Sequence, residues 1–102
     1  MVSRVAKMIN ANRYRDRNKA FATFNPGDLV CLTYHTKSRI LTKNDKNKFI
    51  YRGRECLVHM KGDTGLFIGR HNGEAVLLIG EAFCAISVYN LEKYKEQNGN
   101  GN

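Results

Sequence analysis

The sequence has no tryptophan, a single proline and only three cysteines among 102 residues. No apolar run approaches the roughly 20 residues that a membrane-crossing helix needs. Arg4 and Lys7 interrupt the first apolar residues, so no secretory leader is expected, and the chain reads as a soluble cytoplasmic protein with no membrane partner. An odd cysteine count makes a poor disulfide framework. Cys31, Cys56 and Cys84 all fall on expected strands and are read as reduced, small, buried apolar residues. The length suffices for one domain with a modest core, and no internal repeat is present.

Acidic residues are scarce in the first half. Residues 1 to 54 hold 13 of the 17 Lys and Arg but three of the nine Asp and Glu, leaving four basic against six acidic residues in 55 to 102. A surface that merely keeps a protein in solution does not need such segregation, so the asymmetry points to a polyanionic partner. The plainer reading is a solvated, lysine-rich face.

Glycine is missing before Gly27 and proline before Pro26, so nothing breaks a helix over residues 2 to 20. Val2, Val5, Met8 and Ile9 recur at helical spacing, and Ser3 is a candidate cap. Beyond Ile9 the stripe fades into Arg13-Tyr14-Arg15-Asp16-Arg17-Asn18-Lys19, a basic helix or arm whose order depends on a partner. Ala20, Phe21 and Phe24 then restore apolar character and are expected to lay this segment against the rest of the chain.

The remainder reads as β structure. Asn25-Pro26-Gly27-Asp28 is a turn, and Leu29 to Tyr34 is a strand apolar on both faces. A long basic loop or excursion follows over residues 35 to 54, in which Ile40 to Thr42 and Phe49 to Tyr51 flank Asn44-Asp45-Lys46-Asn47, a pattern that favours a hairpin with a four-residue polar turn over an irregular loop. Cys56 to Met60 supplies a further strand. A meander of Leu66 to Ile68, Val76 to Ile79 and Ile86 to Tyr89 is organised around Asn72-Gly73, whose tolerance of positive φ suits a type I′ hairpin. Asn90 to Tyr94 is expected as one helical turn. Residues 95 to 102 have nothing to bury and are expected to be disordered.

No constellation of catalytic residues stands out. Cys31 with His35, and Cys56 with His59, offer two thiolates and two imidazoles. On a strand, however, residues four apart stand roughly 13 Å from each other and residues three apart face opposite ways. Neither pair closes around one zinc without a bulge or turn. Asp28, Glu55, Asp63, Glu74 and Glu81 are scattered over turns and strand ends, and Gly62 to Gly69 lacks the Lys-Ser or Lys-Thr of a phosphate-binding loop. The expectation is a protein that is not an enzyme and needs neither metal nor cofactor.

Pro26-Gly27-Asp28-Leu29-Val30 opening the first strand, and Lys61-Gly62-Asp63-Thr64-Gly65-Leu66 ahead of the meander, resemble the SH3-like small barrels, most of all KOW and Tudor-type domains. The resemblance covers roughly residues 24 to 94. It implies a mainly β, SH3-like small barrel over 24–94, preceded by a basic amino-terminal helix or arm over 1–23 and closed by a short helical turn. Such domains bind RNA, DNA or proteins of transcription and translation, a shared scaffold without a shared reaction. The long basic loop and the amino-terminal segment depart from a ribosomal-type KOW domain. A short chain of this build also suits a bacteriophage-encoded accessory protein acting on host nucleic-acid processes.

Nucleic acid is therefore the expected partner, met mainly at phosphates with weak sequence preference. The candidate contacts are Arg4, Lys7, Arg13, Arg15, Arg17 and Lys19 on the amino-terminal segment. Lys37, Arg39, Lys43, Lys46, Lys48, Arg52 and Arg54 on the excursion complete the set. Tyr14, Phe49 and Tyr51 interleave with these cations and suit base stacking on a single strand, although hairpin packing is the readier account of Phe49 and Tyr51. The alternative is a protein-interaction module in which Tyr34, Tyr51 and Tyr89 line a groove for an acidic partner. The chain is expected to be a monomer or, through an exposed edge strand, a weak homodimer.

Overall fold

Two turns of the same construction set the frame. In Asn25-Pro26-Gly27-Asp28 and in Met60-Lys61-Gly62-Asp63 the glycine takes φ +95°, as the third residue of a type II turn requires. The aspartate that follows accepts the first residue's N–H on its Oδ2 at 2.9 Å in both. One turn launches the strand that begins at Leu29 and the other the strand that begins at Thr64. Gly62 N–H and Leu32 N–H then bond across to Leu32 O and Asp63 O, locking the second turn onto the end of the first strand.

The computed structural model describes residues 16–95. Residues 16–22 are helical (α1), followed by β1 (Leu29–Leu32), β2 (Thr36–Lys43), β3 (Phe49–His59), β4 (Thr64–His71), β5 (Glu74–Ile79), β6 (Ala82–Ile86), a 3₁₀ turn (Val88–Asn90) and β7 (Leu91–Lys93). The strands form one antiparallel sheet in the order β3-β2-β6-β5-β4-β1-β7, curled into a small barrel-like body. β7 returns to pair with β1, Cys31 opposite Glu92. The expected mainly β small barrel is thus present, with the long excursion between β1 and β4 folded as a hairpin on the sheet's far side.

Strand alternation divides the sheet into two apolar faces. Val30, Leu32, Phe67, Ala75, Leu77, Cys84 and Ile86 turn inward together with Val88 and Leu91. Phe21 and Phe24 cover this core, their rings 6.4 and 5.6 Å from that of Phe67. The end of α1 therefore belongs to the barrel interior. Leu41, Val76 and Ala85 face the other way and are buried beneath Phe49, Tyr51, Ile68 and Phe83.

Several expectations need correction. The hairpin expected around the Asn44–Asn47 turn is present, with Lys43 paired to Phe49, but residues 35–54 are not a loop standing off the barrel, since β2 also pairs with β6 through Arg39, Ile40 and Leu41. The Cys56 to Met60 strand continues β3 across a bulge, where Arg39 is opposite Cys56 but Leu41 is opposite Tyr51, and Gly53 takes φ +57° inside it. Ile86 to Tyr89 is not the third strand of the meander. That strand is Ala82–Ile86, because Ser87 accepts the N–H of Tyr89 and starts the 3₁₀ turn. The helical turn thus ends at Asn90, and Leu91 to Lys93 are extended.

Of the cysteines, only Cys84 is fully buried; Cys31 is half-buried and Cys56 exposed on the edge strand. Asn72-Gly73 turns as expected, with φ 49° and 78°. The Val2 to Ile9 stripe, the Ser3 cap and the 96–102 tail lie outside the described residues.

Candidate nucleic-acid interface

The β2–β3 hairpin carries Lys37, Arg39, Lys43, Lys46, Lys48, Arg52 and Arg54, all exposed, against Asp45 and Glu55. Its polar turn is built from its own asparagine: Asn44 Oδ1 accepts the N–H groups of Lys46 and Lys48 at 2.9 and 3.0 Å, and Asn47 takes φ 63°. That local closure holds Lys46 and Lys48 at the tip. Farther down, the bulge sets Arg52 and Arg54 on the sheet's edge, where Arg52 Nε pairs with Glu55 at 3.0 Å. A bulge that adds twist also keeps an edge strand from pairing with foreign strands.

Register places Lys37, Arg39, Leu41 and Lys43 on one face of β2, since residues two apart share a face. Leu41 is opposite Tyr51 on one side and Phe83 on the other, and Arg39 is opposite Ala85. Cations and aromatics thus share the sheet's outer face. The Arg39 guanidinium lies 3.9 Å from the Tyr51 ring centre, and its Nη2 donates to Gly53 O at 2.8 Å. Tyr51 in turn donates its hydroxyl to Glu74 at 3.3 Å and meets the His71 ring edge-on at 5.2 Å. Phe49 and Phe83 pack edge to face at 5.1 Å, and Lys43 Nζ stands 5.2 and 5.7 Å from their centres. Each such cation–π contact stabilises by about 0.5–1 kcal/mol at an exposed site.

Among the described residues, Arg17 of α1 and Tyr51 of the hairpin both reach the residues of the β4–β5 turn. Arg17 lies across Gly73 so closely that a Cβ there would stand 2.7 Å from its Nη1, while His71 and Glu74, flanking that turn, contact Tyr51. Arg70 stacks 4.0 Å over Phe21 and donates to Asn18, tying α1 to β4. Lys19 is exposed on α1. Arg4, Lys7, Arg13, Arg15 and Tyr14 lie outside the described residues.

The sequence reading missed Phe83, His71, Glu74 and Ile68. A signal for Phe83 was available: Cys84 and Ile86 alternate inward along β6, so Phe83 had to turn toward the nominally solvated side. For His71 and Glu74 no local signal exists, because their contact with Tyr51 spans the sheet.

The histidine and cysteine pairs weighed as zinc ligands have other partners. His59 Nε2 lies 2.7 Å from Ser38 Oγ in the interior, and burial pushes the imidazole below its ordinary pKa, partly offset by Asp63. His35 Nδ1 accepts the N–H of Lys61. Cys31 lies 3.5 Å from Glu92 in a cleft of about 820 Å³ beside β7; burial and then Glu92 push its thiol up, the wrong direction for a nucleophile. Burial likewise raises the Cys84 thiol. Of the tyrosines proposed for a protein-binding groove, Tyr51 faces Arg39, and Tyr89 lines a different hollow with Asp16, Arg17 and Ser87. Compared with protein-family models, with curated proteins and with solved structures, the chain gives no significant match.

Proposed function

We propose that this chain binds nucleic acid through its phosphates and serves transcription, translation or nucleoid organisation rather than catalysis. The observation that carries the reading is the β2–β3 hairpin: seven exposed cations against two acids on one element, with one of those acids already paired to Arg52. Such density on a rigid, sheet-anchored hairpin favours a ligand with regularly spaced negative charge. Arg39, Arg52 and Arg54 offer planar donors suited to phosphate, and Lys43, Lys46 and Lys48 offer point charges toward the tip.

If about five of the hairpin cations neutralise phosphates, log K falls against log salt with a slope of roughly −3.5 on single strands and −4.5 on duplex. Fluorescence anisotropy with labelled oligonucleotides between about 50 and 200 mM salt measures it. Replacing Lys43, Lys46 and Lys48 by Gln is expected to make the slope shallower by roughly two to three without changing the circular dichroism spectrum. No binding of any polynucleotide in dilute salt at micromolar protein overturns the proposal and favours an acidic protein partner.

A further inference from the structure

The outer sheet face raises a question that phosphate binding alone does not answer. A small barrel normally turns polar side chains outward, yet here Phe49, Tyr51 and Phe83 lie side by side on strands β3 and β6, partly exposed. They do cover Leu41, Val76 and Ala85, and packing accounts for their apolar bodies. It does not account for what sits on top of them. Arg39 lies over Tyr51, and Lys43 over both Phe49 and Phe83. Lys37, Arg39 and Lys43 follow one another along one face of β2 at separations of roughly 7 and 13 Å. The acid on this face that contacts the rings, Glu74, accepts the Tyr51 hydroxyl.

Building on the proposed nucleic-acid binding, we infer that the ligand is single-stranded and that its bases stack on the Phe49, Tyr51 and Phe83 face, including the Arg39 guanidinium plane that lies over Tyr51, while its phosphates draw Lys37 and Lys43 to the side. Three features carry this. Aromatic rings interleaved with cations on an open surface suit unpaired bases, whose π faces a duplex keeps stacked inside itself. The Arg39 guanidinium is held at two points, by the Tyr51 ring and by Gly53 O, so it is ordered before a ligand arrives and presents a planar surface on which a base can stack. Finally, the hairpin is not a free ribbon able to enter a major groove. β2 is paired to β6 from Arg39 to Leu41, and the Phe49 ring is packed on Phe83, so only the tip stands clear.

The test compares the intact chain with Phe49→Leu/Phe83→Leu, which keeps an apolar cover over the second core but removes two π faces, using labelled oligo-dT, oligo-U and a duplex of equal length. The expected result is that single strands bind at least tenfold tighter than duplex at the same salt. The double variant is expected to lose roughly tenfold or more on single strands and less than about twofold on duplex. Ultraviolet crosslinking of the intact chain to oligo-U, read by mass spectrometry, is expected to mark Phe49, Tyr51 or Phe83, and it does not depend on a variant folding. Preference for dT or U separates DNA from RNA within the same inference. Duplex binding as tight as single-strand binding, an equal loss on both ligands, or crosslinks confined to the hairpin tip overturns the stacking inference and leaves phosphate binding intact. Failure to bind any of the three ligands overturns both.

Discussion

Ser38 and His59 form a buried polar contact between the two strands of the basic hairpin. They are 2% and 4% exposed and lie 2.7 Å apart at the base of the β2–β3 hairpin, where Thr36 pairs with His59 and Ser38 with Leu57. Ser38→Ala removes little apolar area but leaves the imidazole Nε2 buried without a partner, which costs about 1–3 kcal/mol. For a chain of this size that is a drop in Tm of roughly 4–8 °C per kcal/mol.

Removing both polar groups in Ser38→Ala/His59→Leu relieves the unpaired nitrogen. The double variant is expected to be less destabilised than the sum of the singles by about 1 kcal/mol or more. Because burial depresses the His59 pKa in the folded state, the unfolded chain binds the proton more readily. The contribution is complete above the ordinary histidine pKa and is lost as pH falls through that value toward the lower folded one. Urea denaturation at neutral pH and at about pH 5 reads both effects. Stability of the intact chain should drop over that interval more than that of His59→Leu. Additive single-variant costs, or a Ser38→Ala cost below about 0.5 kcal/mol, would refute the assignment of this contact as a structural clamp.

Phe21→Ala removes a ring that is 6% exposed, packed on Phe67 and capped by Arg70, and a loss of about 3–5 kcal/mol in thermal or urea unfolding is expected. A change under about 1 kcal/mol would show that α1 is an appendage rather than part of the core. Gly65→Ala places a Cβ 2.7 Å from Ile79 Cγ1 and 3.0 Å from Leu78 O, and since a backbone atom cannot swing aside, about 1–3 kcal/mol of destabilisation is expected by the same measurement.

Chain-local physics determined a good deal from the sequence alone. The two Gly-Asp turns, the Asn72-Gly73 hairpin and the Asn44–Asn47 turn follow from residues that satisfy their own backbone or tolerate positive φ, and such effects act over three or four positions. The return of Phe21 and Phe24 to the core was likewise readable from the reappearance of large apolar residues after a polar run. The density of cations between residues 35 and 54 needed only counting.

Only the tertiary structure decided what surrounds those cations. Pairing of β2 with β6 joined the hairpin to the sheet, and because residues two apart share a face, one register put Arg39 and Lys43 among Tyr51, Phe49 and Phe83, with Lys37 farther along the same face. A shift of a single residue would have sent the cations to the opposite face from the rings. Nothing within either strand fixes that register. It follows from the burial of Leu41, Val76 and Ala85, which lie on three different strands and meet only when the sheet is complete.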